Sequence, residues 1–393
     1  MKRPLFVASA LSAGLGVAGT IAFFTVVPGY VDRQLNAVEA LPPHRVSQEA
    51  IRLHERLFVA DLHSDLLLWS RDPLARADHG HTDLPRLREG NVALQVFSVV
   101  SKVPKGQNYD RNDSRSDRIT PLIVAQRWPL ATWRSLKQRA LYQARRLTKA
   151  AARSQGKLVW IRSAADLERF VERREAEPKI TAALLAIEGL HVLEGELRTL
   201  EVLYEAGFRM MGLAHFFDNE VAGSAHGVDK GGLTPLGQQV VRRMEELGIL
   251  VDLAHASPQT VEEVLDRATR PVVVSHTGVQ GTCPGPRNLS DAQIRRIAAN
   301  GGVIGIGFWA GAVCAIDPPS IARAMRYAVD LAGIDHVALG SDFDGSTHTY
   351  FDAAGLVQLT DALLEAGFGE EQIRKIMGSN ALRLLKETLP REG

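Results

Sequence analysis

FVADLHSDL, residues 58–66, is an apolar run that ends with a histidine and an aspartate two positions apart. In a strand, residues i and i+2 point to the same side. His63 and Asp65 therefore converge on one point, while Leu62 and Ser64 face away. A single H-x-D is better explained by a polar strand end meeting solvent. The choice depends on whether other strands end the same way.

Past residue 45 the chain alternates short apolar runs with longer amphipathic ones. The apolar runs are 57–65, ALQVFSVV (93–100), ITAALLAIEG (180–189), FRMMGLAHF (208–216), GILVDLAHAS (248–257), PVVVSHT (271–277), GGVIGIGFW (301–309) and HVALGSDFDG (336–345). Helical patterns lie between them, such as 235–248 and 257–269, the latter opened by Ser257 and Pro258 as cap and first turn. Apolar strands separated by helices predict a parallel sheet. Eight of them in about 300 residues predict a closed (β/α)₈ barrel, a TIM-like α/β fold with its site at the C-terminal strand ends. A doubly wound open sheet is the alternative, but no glycine-rich phosphate turn follows the first strand.

The strand ends answer the opening question. The first strand ends in His63 and Asp65, the third in Glu188, the fourth in His215, the fifth in His255, the sixth in His276 and the eighth in Asp342. Singly, each reads as an ordinary satisfied polar residue. Together they would bury a concentration of charge that is very costly without a cation. Imidazole and carboxylate suit zinc or another first-row divalent metal. The ligands exceed the needs of one tetrahedral ion, so the expectation is two ions bridged by Glu188.

Composition bounds the rest. The 393 residues carry 45% hydrophobic side chains and a net charge of +1, with nothing that calls for nucleic acid. After Lys2 and Arg3 no charge appears until Asp32. Leu5 to Val27 would form a helix of roughly 34 Å, enough to cross a hydrocarbon core of about 30 Å. An uncleaved anchor within residues 1–31 is expected, followed by a linker over 32–46 with LPPH (41–44) as a stiff spacer, and a catalytic domain over 47–393. The charges at Lys2 and Arg3 would put that domain on the extracytoplasmic side. A cleaved signal peptide, giving a secreted protein, is the rival reading. Since every candidate ligand lies beyond Phe58, residues 1–40 should be dispensable for catalysis. Residues 118–165 hold eleven Lys and Arg and no acid, overlapping an insertion at about 101–160. This reads either as a solvated helix pair or as a basic face near anionic headgroups, with Trp128 and Trp133 at the interface.

The chain resembles the membrane dipeptidases, also called renal dipeptidase-like proteins, metallopeptidase family M19. The likeness spans roughly residues 50–390. It rests on DLHSD, DLPRLREGNVALQVFS (83–98), AIEG (186–189), LAHFFDN (213–219), LTPLGQQVVRRMEELGILVDLAHAS (233–257), VVVSHT (272–277), PRN (286–288) and GSDFDG (340–345). The resemblance implies a binuclear zinc dipeptidase whose metal-bridging hydroxide attacks the peptide bond. His63 and Asp65 would hold one zinc and His255 and His276 the other, with Glu188 between. It implies that His215 polarises the scissile carbonyl, that Arg287 grips the dipeptide's free carboxylate and that Asp342 shuttles the proton. Asp252 reads equally as support for a ligand or as a structural carboxylate. A deacylase or lactam/lactone hydrolase on the same barrel, and a tethered binding protein that lost catalysis, are the competing classes. A homodimer is left open. His79-x-His81 imitates another metal motif but follows no apolar strand, so it reads as loop. The family also carries a cysteine pair at matching places, and neighbouring loops would bring Cys283 and Cys314 together. Two free thiols are the alternative.

Overall fold

Parallel pairing organises the whole chain. The structure, a computed structural model, describes residues 20–40, 42–43 and 45–392. Its strands are β1 (Val59–Ser64), β2 (Val92–Phe97), β3 (Leu158–Ile161), β4 (Thr181–Ile187), β5 (Phe208–Gly212), β6 (Leu250–Asp252), β7 (Val273–Thr277), β8 (Val303–Ile306) and β9 (Val337–Leu339). They pair in the order β2-β1-β9-β8-β7-β6-β5-β4-β3, and β2 also pairs with β4. That last pairing closes an eight-stranded parallel barrel, with β3 added beside the first half of β4. The eight expected strands are the eight barrel strands. The ninth, β3, falls within the basic stretch read as purely helical.

Alternate residues along each strand enter different hydrophobic clusters, as a period of two requires. Met211, Val251, Val274, Ile304 and Leu339 pack with the helices Pro235–Leu247, Pro258–Leu265, Asp291–Ala299 and Pro318–Ala332. Met210, Leu250, Val273, Val303 and Ala338 pack with one another and with the helices Ala164–Ala176 and Asn380–Thr388. The helix starts follow local chemistry. Ser257 accepts from the Thr260 amide at 2.9 Å ahead of Pro258, and Thr234 accepts from the Gly237 amide at 3.0 Å ahead of Pro235. Each such cap contributes about 1 kcal/mol. Gly248 ends the second of these helices at φ 70°, where a side chain would be strained.

The N-terminal part departs from the sequence reading. Most of the expected anchor, Leu5–Val27, lies outside the described residues, as do Leu41 and His44 of the expected spacer. No helix among the described residues is long and apolar enough to cross a membrane. The segment expected as a linker is packed into the barrel. Helix Val27–Leu35 buries Asp32, which accepts from Arg71 Nε at 2.8 Å and Asn36 Nδ2 at 2.9 Å. Arg71 continues to Asp344 Oδ1 at 2.6 Å, and Val38 bridges to Thr349. The residues after β9 are thereby tied to the start of the chain.

The insertion holds helices Ile119–Ala125 and Leu136–Arg153, and it is more than a solvated pair. Arg139 is buried and donates to Asp117 and to the carbonyls of Ser101 and Thr132. Trp128 is buried too, with its indole N–H on Gln126, which removes it from any interface; Trp133 is partly exposed. His79 and His81 lie on a loop, as expected, and join the network around Asp32 and Asp344.

Candidate metal centre and substrate pocket

Six of the eight barrel strands carry a polar end residue to the same rim. His63 is the fifth residue of β1 and Asp65 follows it; Glu188 follows β4; His276 is the fourth residue of β7. His215, His255 and Asp342 each stand three residues beyond β5, β6 and β9. His255 and Asp342 adopt left-handed backbone, at φ 62° and 59°. Such strain in non-glycine residues costs on the order of 1–3 kcal/mol each and accumulates at functional sites.

Glu188 is the hub. Its Oε1 lies 3.4 Å from His63 Nε2, 3.3 Å from His255 Nε2 and 3.1 Å from His276 Nε2, while Oε2 lies 3.1 Å from His215 Nε2. His63 Nε2 is also 3.4 Å from Asp65 and 3.8 Å from Asp342. Three sets of potential ligand atoms overlap: His63, Glu188 and His276; Glu188, His215 and His255; His63, Asp65 and Asp342. All seven side chains are buried. The structure thus brings together every strand-end residue read from the sequence. It seats His215 as close to the Glu188 carboxylate as the imidazoles expected to be ligands.

The charges argue for a cation. Burial opposes charge on His63, yet Glu188, Asp65 and Asp342 override it and lift its pKa to about 10. Burial holds His255 and His276 well below the ordinary imidazole value, and the Arg287 charge adds to this. Both are then neutral, the form a metal requires. Burial also raises Asp342 well above the carboxylate range, helped by Asp65 and Glu188. Both ring nitrogens of His63 and Oδ1 of Asp65 are buried without a hydrogen-bond partner. Native interiors rarely leave so many orphaned polar atoms in one place. The donor set fits divalent metal.

Asp252 supports a ligand. Its Oδ2 accepts from Ser275 Oγ at 2.5 Å, and that hydroxyl lies 2.9 Å from His276 Nδ1. With its proton given to Asp252, the serine oxygen accepts from Nδ1–H, which fixes the tautomer and leaves the Nε2 lone pair facing Glu188.

The rim residues enclose a cavity of about 340 Å³, with Asp65, Glu188, His215, His276, Arg287 and Asp342 among its walls. Arg287 is buried; its Nη2 donates to the His276 carbonyl at 2.7 Å, and its guanidinium lies 5.4 Å from the Trp309 ring centre. Cys283 and Cys314 form a disulfide, Cα–Cα 5.3 Å, joining the Arg287 loop to the segment after β8. For a loop of this size the chain-entropy account gives about 3–4 kcal/mol.

Several wall residues were missed from sequence. Residues 98–118 form a strap over the mouth. Tyr109 stacks on Phe216 and accepts from the Trp309 indole N–H at 2.9 Å, while Asn112 donates to the His226 carbonyl at 2.8 Å. His226 packs against Phe216 and His255; burial and the Arg287 charge push its pKa down to about 3. Its place in the glycine-bearing run SAHGVDKGG (224–232) was the one available signal.

Residues 47–391 match the signature of the membrane dipeptidases, peptidase family M19. The chain belongs to this family. An uncharacterised Klebsiella pneumoniae protein from the region 5′ of pqqA is 36% identical over 255 residues, 61% of this chain and 92% of its own. The dipeptidase tcpJ of Claviceps purpurea is 30% identical over 78% of this chain and 69% of its own. Among solved structures, a Rhodobacter sphaeroides metallopeptidase liganded with a phosphinate mimic of the dipeptide L-Ala-D-Ala is 25% identical. It superposes with a TM-score of 0.66 over 84% of this chain and 99% of its own. The chain is a metallo-dipeptidase on a (β/α)₈ barrel.

Proposed function

We propose that the protein hydrolyses dipeptides with two zinc ions, one held by His63 and Asp65 and the other by His255 and His276, with Glu188 shared. The observation that carries this is the convergence of the three histidine Nε2 atoms on one buried Glu188 oxygen within 3.4 Å. Bound divalent ions would polarise the scissile carbonyl and supply a nucleophilic hydroxide near neutral pH. The chain's own groups do the rest. Arg287 binds the substrate's C-terminal carboxylate in a desolvated wall, where a planar bidentate donor is most selective. His215 donates toward the carbonyl oxygen as negative charge develops there. Asp342, 3.8 Å from His63 Nε2 at the edge of the ligand cluster, takes the proton from water and returns it to the leaving amine. The ligand of the Rhodobacter sphaeroides relative supports a two-residue substrate.

We also infer that Leu5–Val27 anchors the protein with the barrel on the extracytoplasmic side. The disulfide supports an oxidising compartment. Membrane fractionation with an intact N-terminal sequence is the expected result, and a soluble protein starting near residue 19 would reject the anchor.

Metal counting tests the site. Active protein should contain two divalent ions per chain, lose dipeptide turnover with a chelator and regain it with zinc. Glu188→Gln should lower occupancy at both positions. One ion in fully active protein, or unchanged occupancy in the variant, rejects the shared-ligand arrangement.

A further inference from the structure

The strap leaves β2, crosses the mouth and returns. It departs through Val100 and Val103, reaches Tyr109 beside Trp309 and Phe216, and comes back where the Arg118 amide donates to the Val103 carbonyl at 2.8 Å. At that return point Arg118 lines the cavity. Its guanidinium is half-buried, yet among the described residues it makes no side-chain hydrogen bond and no ion pair. The nearest acids in sequence are committed elsewhere: Asp117 binds Arg139 at 2.7 Å and Asp113 binds Arg115. Only burial acts on its pKa, downward, with no carboxylate offsetting the cost. On the same wall, the buried amide oxygen of Gln107 also lacks a partner. A partly desolvated guanidinium facing a substrate cavity is unfavourable unless an anion completes it.

Topology says which part of the substrate reaches it. Around the closed barrel the strands run β1, β2, β4, β5, β6, β7, β8, β9, so β2 stands opposite β7. Arg287 follows β7, and Arg118 sits with Leu68, Val100, Val103 and Ile119 on the β1–β2 side. The metal-ligand cluster lies between these walls. This argument rests on the role proposed above for Arg287. A dipeptide held there by its carboxylate, with its scissile carbonyl over the cluster, points its N-terminal residue toward Arg118. An ammonium would be repelled by the guanidinium, so the matching group is the side chain. We propose that Arg118 selects dipeptides whose N-terminal residue has an anionic side chain, with the neighbouring aliphatic residues taking its methylenes.

The test is a kcat/KM panel on the zinc-loaded full chain, using Glu-Ala, Gln-Ala, Lys-Ala, Ala-Ala and Ala-Glu. Glu-Ala and Gln-Ala match in shape and differ in charge. The expected order is Glu-Ala over Gln-Ala over Lys-Ala, with about tenfold between the first two, a modest value for a charge-assisted contact. In Arg118→Gln the Glu-to-Gln ratio should fall toward one, and in Arg118→Lys it should survive in part. Because the readout is a ratio, a loss of folded protein does not mimic it. A flat series in the wild type, a preference for Ala-Glu instead, or a ratio unchanged in Arg118→Gln overturns the assignment. Failure to cleave any dipeptide would instead strike the dipeptidase mechanism, so the two failures are distinguishable.

Discussion

Asp32 stands outside the metal site, but its removal should be felt there. The carboxylate is 1% exposed and receives Arg71 Nε and Asn36 Nδ2, with His79 Nε2 at 3.2 Å. Arg71 reaches onward to Asp344, whose carboxylate also receives the backbone amides of His81 and Thr82. Asp32→Ala strips one partner from a buried guanidinium and leaves the Asn36 amide unsatisfied. Breaking a buried pair in this way costs about 3–5 kcal/mol, a large share of a typical 5–15 kcal/mol stability. Part of that loss should be local, because Asp344 lies two residues from Asp342 and both hold left-handed backbone. Deletion of residues 1–40 removes the same contact, together with hydrogen bonds from Glu39 and Ala40 to the Thr349 and Tyr350 carbonyls. The expectation from sequence alone, that this deletion is harmless, is therefore replaced by its opposite. Urea unfolding and dipeptide turnover should be compared for the full chain, a form lacking residues 1–19, a form lacking 1–40, and Asp32→Ala. The first two should agree, and the last two should lose several kcal/mol and turnover together. Equal stability of the 1–19 and 1–40 deletions, or an Asp32→Ala loss under about 1 kcal/mol, would refute the reasoning.

Arg287→Ala should chiefly raise KM for dipeptides with a free C-terminus, by an amount equivalent to about 2–5 kcal/mol for a buried charge contact; if wild-type enzyme cleaves amidated and free-acid dipeptides equally, Arg287 has another role. Asp342→Asn should collapse kcat while metal content stays at the wild-type level, and near-normal turnover would remove it from proton transfer. His54 is buried between Thr360 and the Gly90 carbonyl, and burial lowers its pKa to about 4. Its folded pKa lies below the unfolded value of about 6.5, so its contribution is complete above pH 6.5 and fades as pH falls toward 4. Between pH 7 and 4.5 the wild type should lose about 2.5 kcal/mol more than His54→Gln; parallel acid limbs would contradict this.

The barrel and its rim were legible because both are written locally. Each barrel strand is an apolar run, and six of the eight end in a potential ligand or proton carrier, a coincidence that only a shared site explains. β3 escaped because it is only four residues long, its two central residues are partly exposed, and it sits among basic helices. The strap escaped for a different reason. Nothing in 98–118 has a period; its path is set by Phe216, His226 and Trp309, contributed by segments after β5 and β8. Asp32 misled in the same manner, because the first charge after an apolar segment looks like the point where the chain meets water. Its partners, Arg71 and Asp344, are distant in sequence. The role of Asp252 is set by Ser275, which stands between it and His276, a contact that sequence spacing does not show.

The two ends of the described chain sit at opposite poles of the barrel. Helix Val27–Leu35 and Val38 dock beside the residues after β9, at the rim. Thr388 lines a small cleft with Leu250 at the start of β6, and Glu387 accepts from Arg270, just ahead of β7, at the floor. The described chain therefore enters the barrel at its working end. A bulky group fused directly ahead of helix Val27–Leu35 would therefore crowd the entry route, whereas attachment to a solid support through the C-terminal helix would leave the mouth facing free solution.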